Sequence, residues 1–168
     1  ILPKSLKLRS SILRTMCSVL GLFVSQKDAE KLDKSAHVLV ANYTTTLDHL
    51  AIGLVVPNIL PSVWDLPPML MWMLGYRDMG AKQGRETLIR NVQSHCQTSP
   101  IPALAFPEGA STNGRKGLLK FSVWPFSLDQ KIQPIIVNVS RPYIARVSPS
   151  VLGGRWWIDL FWFLFVPY

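Results

Sequence analysis

A short apolar run, Ile101-Pro102-Ala103-Leu104-Ala105, passes directly into Phe106-Pro107-Glu108-Gly109-Ala110-Ser111-Thr112-Asn113. This junction constrains the fold more than any other segment. A brief apolar run bounded by turn residues reads as a buried strand. An acid and a glycine just past such a strand lie at its C-terminal end, where open α/β sheets build their sites. Glycine lets the backbone pass close to a ligand, and Ser111, Thr112 and Asn113 supply hydrogen-bonding side chains. Composition alone reads the same stretch as a Pro-Glu-Gly surface turn.

The rest of the chain alternates strand and helix signals. His37-Val38-Leu39-Val40-Ala41 reads as a second buried strand. Residues 42–46 form a turn rich in capping oxygens, and a helix follows over 48–56. Prolines at 57, 61, 67 and 68 break the next stretch, and residues 69–74 form a short apolar helix or strand near a lipid face. A helix is expected over 85–97, strands over 101–106 and 132–139. Alternating elements of this kind imply an α/β sheet covered on both faces.

Net charge decides the class of partner. The 168 residues carry a formal charge of +8, which suits nucleic acid or an anionic membrane face. A binder of single strands interleaves aromatic rings with Arg and Lys. Here the rings crowd instead into Trp156-Trp157-Ile158-Asp159-Leu160-Phe161-Trp162-Phe163 near the C-terminus. The expected partner is therefore a membrane, with no nucleic acid. No apolar run reaches the ~20 residues of a spanning helix, so contact is expected at the headgroup level. Over residues 1–24, Lys4, Lys7, Arg9 and Arg14 alternate with apolar residues at spacings of three and four. That pattern fits a membrane-surface helix, and equally a helix packed on the core with a solvated basic edge. Cys17 and Cys96 are too few for a disulfide framework, and no metal-ligand spacing is present.

Taken together, the motifs resemble the four blocks of the glycerolipid acyltransferases. Those blocks are an Asn-His pair with an Asp five residues after the His, an arginine block, a Phe-Pro-Glu-Gly block, and a Pro between aliphatics. This chain offers Asn42-Tyr43-Thr44-Thr45-Thr46-Leu47-Asp48, then Gly84-Arg85-Glu86, residues 106–113, and Ile132-Gln133-Pro134-Ile135. A longer match is carried by residues 14–22 and by Thr112-Asn113-Gly114-Arg115-Lys116-Gly117-Leu118-Leu119-Lys120-Phe121. These are similar to the acyltransferase-like domain of the ancient ubiquitous protein 1 family. The resemblance implies a central mixed sheet covered by helices. It implies a monotopic protein on the cytosolic face of the endoplasmic reticulum and on lipid droplets. It further implies work in lipid-droplet biology and in degradation of misfolded endoplasmic-reticulum proteins. A ubiquitin-conjugating enzyme and ubiquitin are expected to engage regions outside this chain. The expected layout is a basic helix and linker over 1–34, the acyltransferase-like domain over 35–145, and an aromatic membrane-contacting tail over 146–168. The chain reads as a piece of a longer protein.

The resemblance also assigns roles. Acyl transfer to a hydroxyl needs a base to take the hydroxyl proton, and in the superfamily that base is the His of the first block, oriented by the Asp. This chain has Tyr43 at the His position, and a phenol with a pKa near ~10 is protonated at neutral pH. Asp48 would be the orienting remnant and Glu108 the acid of the third block. Asn42, Arg85, Gly109, Ser111, Thr112, Asn113 and Arg115 would line a substrate site. Many superfamily members carry an Arg where Ser111 stands, although Ser-Thr-Asn is similar to the block of lysophosphatidylcholine acyltransferases. Arg115, Lys116 and Lys120 could hold a phosphate, or form a basic rim at a membrane. His49 follows Asp48, but helical neighbours project about 100° apart, so it should not share the pocket. Two expectations follow: a pseudoenzyme scaffold without a bound cofactor, or an acyltransferase moving an acyl group from acyl-CoA to a lysophospholipid.

Overall fold

A computed structural model describes residues 3–19, 21–112, 119–140 and 158. Helix α1 (Pro3–Val19) precedes strand β1 (Val38–Ala41), whose four residues are all buried. Helix α2 (Asp48–Val55), strand β2 (Leu60–Pro61), helix α3 (Pro68–Leu74) and strand β3 (Tyr76–Arg77) follow. Helix α4 (Arg85–Thr98), strand β4 (Ala103–Ala105), a 3-10 turn (Trp124–Leu128) and strand β5 (Ile132–Ile135) complete the order.

β1 lies between β4 and β5, parallel to both, with Val38 opposite Ala103 on one side and Ile132 on the other. β2 and β3 pair in parallel, and a bridge between Ile59 and Ala103 joins them to β4. The spatial order is thus β3-β2-β4-β1-β5. A mixed sheet was expected, but every ladder among the described residues is parallel. Each strand is reached by a crossover long enough to return the chain to the same end, which is what parallel pairing requires. Pro134 breaks no central ladder because β5 pairs with β1 alone among the described strands.

Side chains on a strand alternate between faces, and β1 divides the core accordingly. Val38 and Val40 pack with Val92 and Cys96 of α4 and with Leu128. Leu39 and Ala41 pack with Ile52 of α2 and Leu104. A third cluster joins α1, α2 and α3 through Leu13, Leu50, Leu74 and Tyr76. No helix among the described residues is long and apolar enough to cross a membrane.

Arg9 departs from the sequence pattern. Its spacing puts it with the basic set, yet it is only 8% exposed. Arg9, Leu13 and Cys17 are the buried stripe of α1, and the guanidinium enters a space left by two glycines. A side chain on Gly75 would overlap it, and one on Gly53 would touch it at 3.8 Å. Its hydrogen bond is a long one, 3.4 Å to the carbonyl of Asn58, and Nε has no partner. Burial pushes its pKa down. The side chains of Lys4 and Lys7 and the aromatic tail over 146–168, apart from Ile158, lie outside the described residues.

Candidate functional site

The site lies beyond the C-terminal ends of β1 and β4. These strands are neighbours, and their outgoing segments pack on opposite faces. α2 covers the Leu39 face, and the 3-10 turn before β5 covers the Val38 face. Diverging connections open a crevice at the strand ends, the usual ligand position in α/β sheets. Both halves of the motif converge there because of this topology.

Tyr43 is the meeting point. Its backbone N–H donates to Oε2 of Glu108 at 2.7 Å. Its carbonyl accepts from the N–H of Thr112 at 2.8 Å and from the Thr112 hydroxyl at 3.3 Å. Its ring lies 4.9 Å from that of Phe106, tilted by 34°. The first and third blocks are therefore joined, although 65 residues separate Tyr43 from Glu108.

Each acid is engaged with backbone donors. Oε1 of Glu108 accepts the N–H of Leu119 at 3.0 Å, so this carboxylate brackets two loops. Asp48 is 1% exposed. Its Oδ2 accepts the N–H groups of Thr44 at 2.6 Å and Thr45 at 2.9 Å, and its Oδ1 accepts the Thr45 hydroxyl at 2.5 Å. Burial raises the Asp48 pKa; the three hydrogen bonds from Thr45 and Thr44 oppose that rise, and the nearby Glu108 adds to it. An acid early in a helix reaching back to the preceding N–H groups closes the turn as a capping box does.

Asn42 is likewise tied to backbone. Oδ1 accepts the N–H of Val137 at 2.7 Å, and Nδ2 donates to the Val137 carbonyl at 3.0 Å and to Thr44 Oγ1 at 3.2 Å. It fastens the end of β1 to the chain leaving β5. Arg85 opens α4 on the exposed side and donates to Ser122 Oγ at 3.5 Å. The Ser122 N–H in turn donates to the Pro107 carbonyl at 2.8 Å. Arg85 thus reaches the rim of the Glu108 loop. Gly109 has φ of +70 with open space where a Cβ would stand, so its requirement is conformational rather than steric. Ser111 is half-buried beside Thr112. Asn113, Arg115 and Lys116 lie outside the described residues, and Lys120 is exposed.

His49 does not join this group. It is 4% exposed, and its ring packs 4.8 Å from that of Tyr76. Burial lowers its pKa to about 3, a bond to the Thr46 backbone opposes the shift, and nearby Arg9 lowers it further. A histidine so depressed stays neutral near pH 7. Among the described residues no group of three His, Cys, Asp or Glu side chains could hold a metal. The sequence signal missed the N–H of Leu119, because a backbone donor leaves no trace in residue identity. It also missed the engagement of Asp48 by its own turn, for which Thr44 and Thr45 were the available cue.

Comparison with known proteins gives homologues over the whole chain. A "Lipid droplet-regulating VLDL assembly factor AUP1 homolog" from Caenorhabditis elegans is 46% identical over 168 residues, covering 100% of this chain and 43% of that protein. The human "Lipid droplet-regulating VLDL assembly factor AUP1" is 39% identical over 170 residues, covering 99% of this chain and 40% of that protein. The Danio rerio protein of the same name is 40% identical over 169 residues, covering 99% and 39%. Homologues so named belong to the ancient ubiquitous protein family. The chain spans about two fifths of the length of the curated relatives it matches. No family model and no solved structure matches it.

Proposed function

We propose, from homology along its whole length to lipid droplet-regulating VLDL assembly factors, that this chain is an acyltransferase-like domain acting as a pseudoenzyme scaffold. It works at the surface of lipid droplets and the cytosolic face of the endoplasmic reticulum. Its roles are in lipid-droplet biology and ubiquitin-dependent degradation of endoplasmic-reticulum proteins. In that reading a ubiquitin-conjugating enzyme and ubiquitin engage other parts of the whole protein.

The observation that carries the reading is the state of the first block. Tyr43 stands where an acyl transfer site needs a base, and a phenol does not serve at neutral pH. Asp48, which would orient that base, holds the Thr44 and Thr45 N–H groups instead. Backbone N–H groups before a helix are natural donors to an oxyanion or phosphate. Here the protein's own carboxylate occupies them. The nearby histidine, His49, packs against Tyr76.

One observation favours a working acyl-CoA:lysophospholipid acyltransferase. The crevice is assembled, with Glu108, Gly109 and Thr112 brought against Tyr43. The test is acyl-CoA consumption by the wild type and by Tyr43→His, with lysophospholipid acceptors. The scaffold reading expects no turnover in the wild type. Sustained wild-type turnover above the no-protein rate would overturn it, whatever the variant does.

A further inference from the structure

Three side-chain atoms among the described residues are buried without a hydrogen-bond partner: Arg9 Nε, Thr46 Oγ1 and His49 Nε2. All three residues are more than nine-tenths buried, and they belong to one seam. His49 and Gly53 lie four apart on α2, hence one above the other. Thr46, in the turn before that helix, bonds the His49 ring through its backbone. Arg9 reaches from α1 onto the same stripe, where its Nη2 lies 3.8 Å from the Cβ position of Gly53, and it also covers Gly75. The residue after Gly75, Tyr76, packs its ring on His49. Arg9 and His49 are thus neighbours on both walls of the seam.

The seam lacks a counter-charge. Burial alone lowers the Arg9 pKa, and no carboxylate among the described residues pairs with the guanidinium. Of the ten acids in the chain, Asp159 alone lies outside those residues. Buried charges are normally paired. The unpartnered atoms also set a pattern. Arg9 Nε carries a hydrogen and donates. The His49 ring donates through its other nitrogen to the Thr46 backbone, which leaves Nε2 with a lone pair, an acceptor. Thr46 Oγ1 serves either way. A ligand that completes the seam brings one negative charge, accepts from Arg9 and donates to His49. Water makes both hydrogen bonds but leaves the cation unmatched. Nitrate and sulfate carry negative charge but have no hydrogen for Nε2.

We propose that Arg9, Thr46 and His49 form a binding site for a hydrogen-bearing monovalent oxyanion, of the class of bicarbonate and dihydrogen phosphate. Its bare oxygens accept from Arg9 Nε and the Thr46 hydroxyl, and its O–H donates to His49 Nε2. A single negative charge is cheaper to bring into a buried seam than two, and it balances the guanidinium. The site is distinct from the crevice, whose Thr44 and Thr45 N–H groups are already taken by Asp48. Because Arg9 stands on α1 and Thr46 in the turn of the first block, a bound ion ties the one to the other. The proposal holds whether or not the crevice is catalytic.

The test is isothermal titration calorimetry of the chain at constant ionic strength. Bicarbonate is added at neutral pH and inorganic phosphate at mildly acidic pH, where it is largely monovalent; nitrate and sulfate are the anions without a proton to donate. The expected result is saturable binding of one bicarbonate or phosphate per chain, about ten-fold or more tighter than nitrate or sulfate, because those leave a buried acceptor unpaired. Arg9→Met should abolish binding, and Thr46→Val should weaken it about ten-fold. His49→Gln, whose amide both donates and accepts, should admit nitrate. Circular dichroism checks that each variant is folded, and Arg9→Met removes an unmatched charge rather than a paired one, so the fold should survive it. Equal binding of nitrate and bicarbonate by the wild type would overturn the role of His49 and with it the site. Undiminished binding in Arg9→Met and Thr46→Val would place the ion elsewhere on the chain and overturn it too. No saturable binding of either protic ion would leave the seam to water, which is the third way the proposal fails.

Discussion

Replacing Glu108 with Gln should destabilise the domain more than a change at a purely catalytic acid would. The carboxylate is 8% exposed and accepts two backbone donors, Tyr43 N–H at 2.7 Å and Leu119 N–H at 3.0 Å. Hydrogen bonds to a charged acceptor contribute about 1.5–3 kcal/mol each net. Glutamine keeps one oxygen as a neutral acceptor and turns an NH2 group toward the other donor, leaving that N–H without a partner. The net loss is about 2–4 kcal/mol. For a chain of this length that corresponds to a fall in Tm of roughly 5–15 °C. Urea unfolding followed by tryptophan fluorescence measures it as a lower midpoint at unchanged slope. A variant within about 0.5 kcal/mol of wild type would refute the reasoning. It would mean that these two bonds do not hold the loops, and would return Glu108 to the list of candidate reacting groups. Active-site acids are often neutral or even unfavourable for stability, so the sign of the effect separates the two roles.

Two further outcomes follow from the buried polar groups. His49 has its folded pKa depressed to about 3, so its stabilising contribution is full above the unfolded value near ~6.5 and is lost as pH falls through the folded value. Stability should therefore decline by up to about 1.4 kcal/mol per pH unit below ~6.5, and His49→Phe should flatten that slope in pH-resolved urea titrations. An unchanged slope would remove His49 as its source. Gly75→Ala should cost about 2 kcal/mol or more, from a positive φ and from displacement of Arg9. In an Arg9→Met background the cost should shrink by at least about 1 kcal/mol, and simple additivity would show that the guanidinium is not held over that glycine.

Much of the frame was readable because it rests on local pattern. β1, α2, α4 and β4 follow from apolar runs and capping residues within a few positions of the expected bounds. β2 and β3 did not, since two-residue strands among prolines carry no periodicity. They pair with each other through Leu60 and Tyr76, and are joined to β4 by Ile59 meeting Ala103, 44 positions away. Arg9 was misplaced for a similar reason. Helical spacing put it on the basic edge, and only Gly53 and Gly75, distant in sequence, make room for it. At the site, the identities of Asn42, Asp48 and Glu108 were legible while their partners were not. All three bind backbone groups, and backbone groups are the same at every position.

That use of the acids gives a physical account of how a base can be absent while the architecture stands. Consecutive backbone N–H groups of the first block are fixed from two sides: Tyr43 by Glu108, and Thr44 and Thr45 by Asp48. The Tyr43 carbonyl is fixed by Thr112, and Asn42 binds Val137. These bonds engage the backbone at position 43 and not its side chain. Much of the loop's shape is therefore set through its backbone, while the ring at 43 packs against Phe106. The scaffold reading proposed above takes Tyr43 to stand where the superfamily's base would be, in a crevice still closed by backbone bonds. On that reading the surface of the crevice serves recognition, since a fold does not by itself carry an activity.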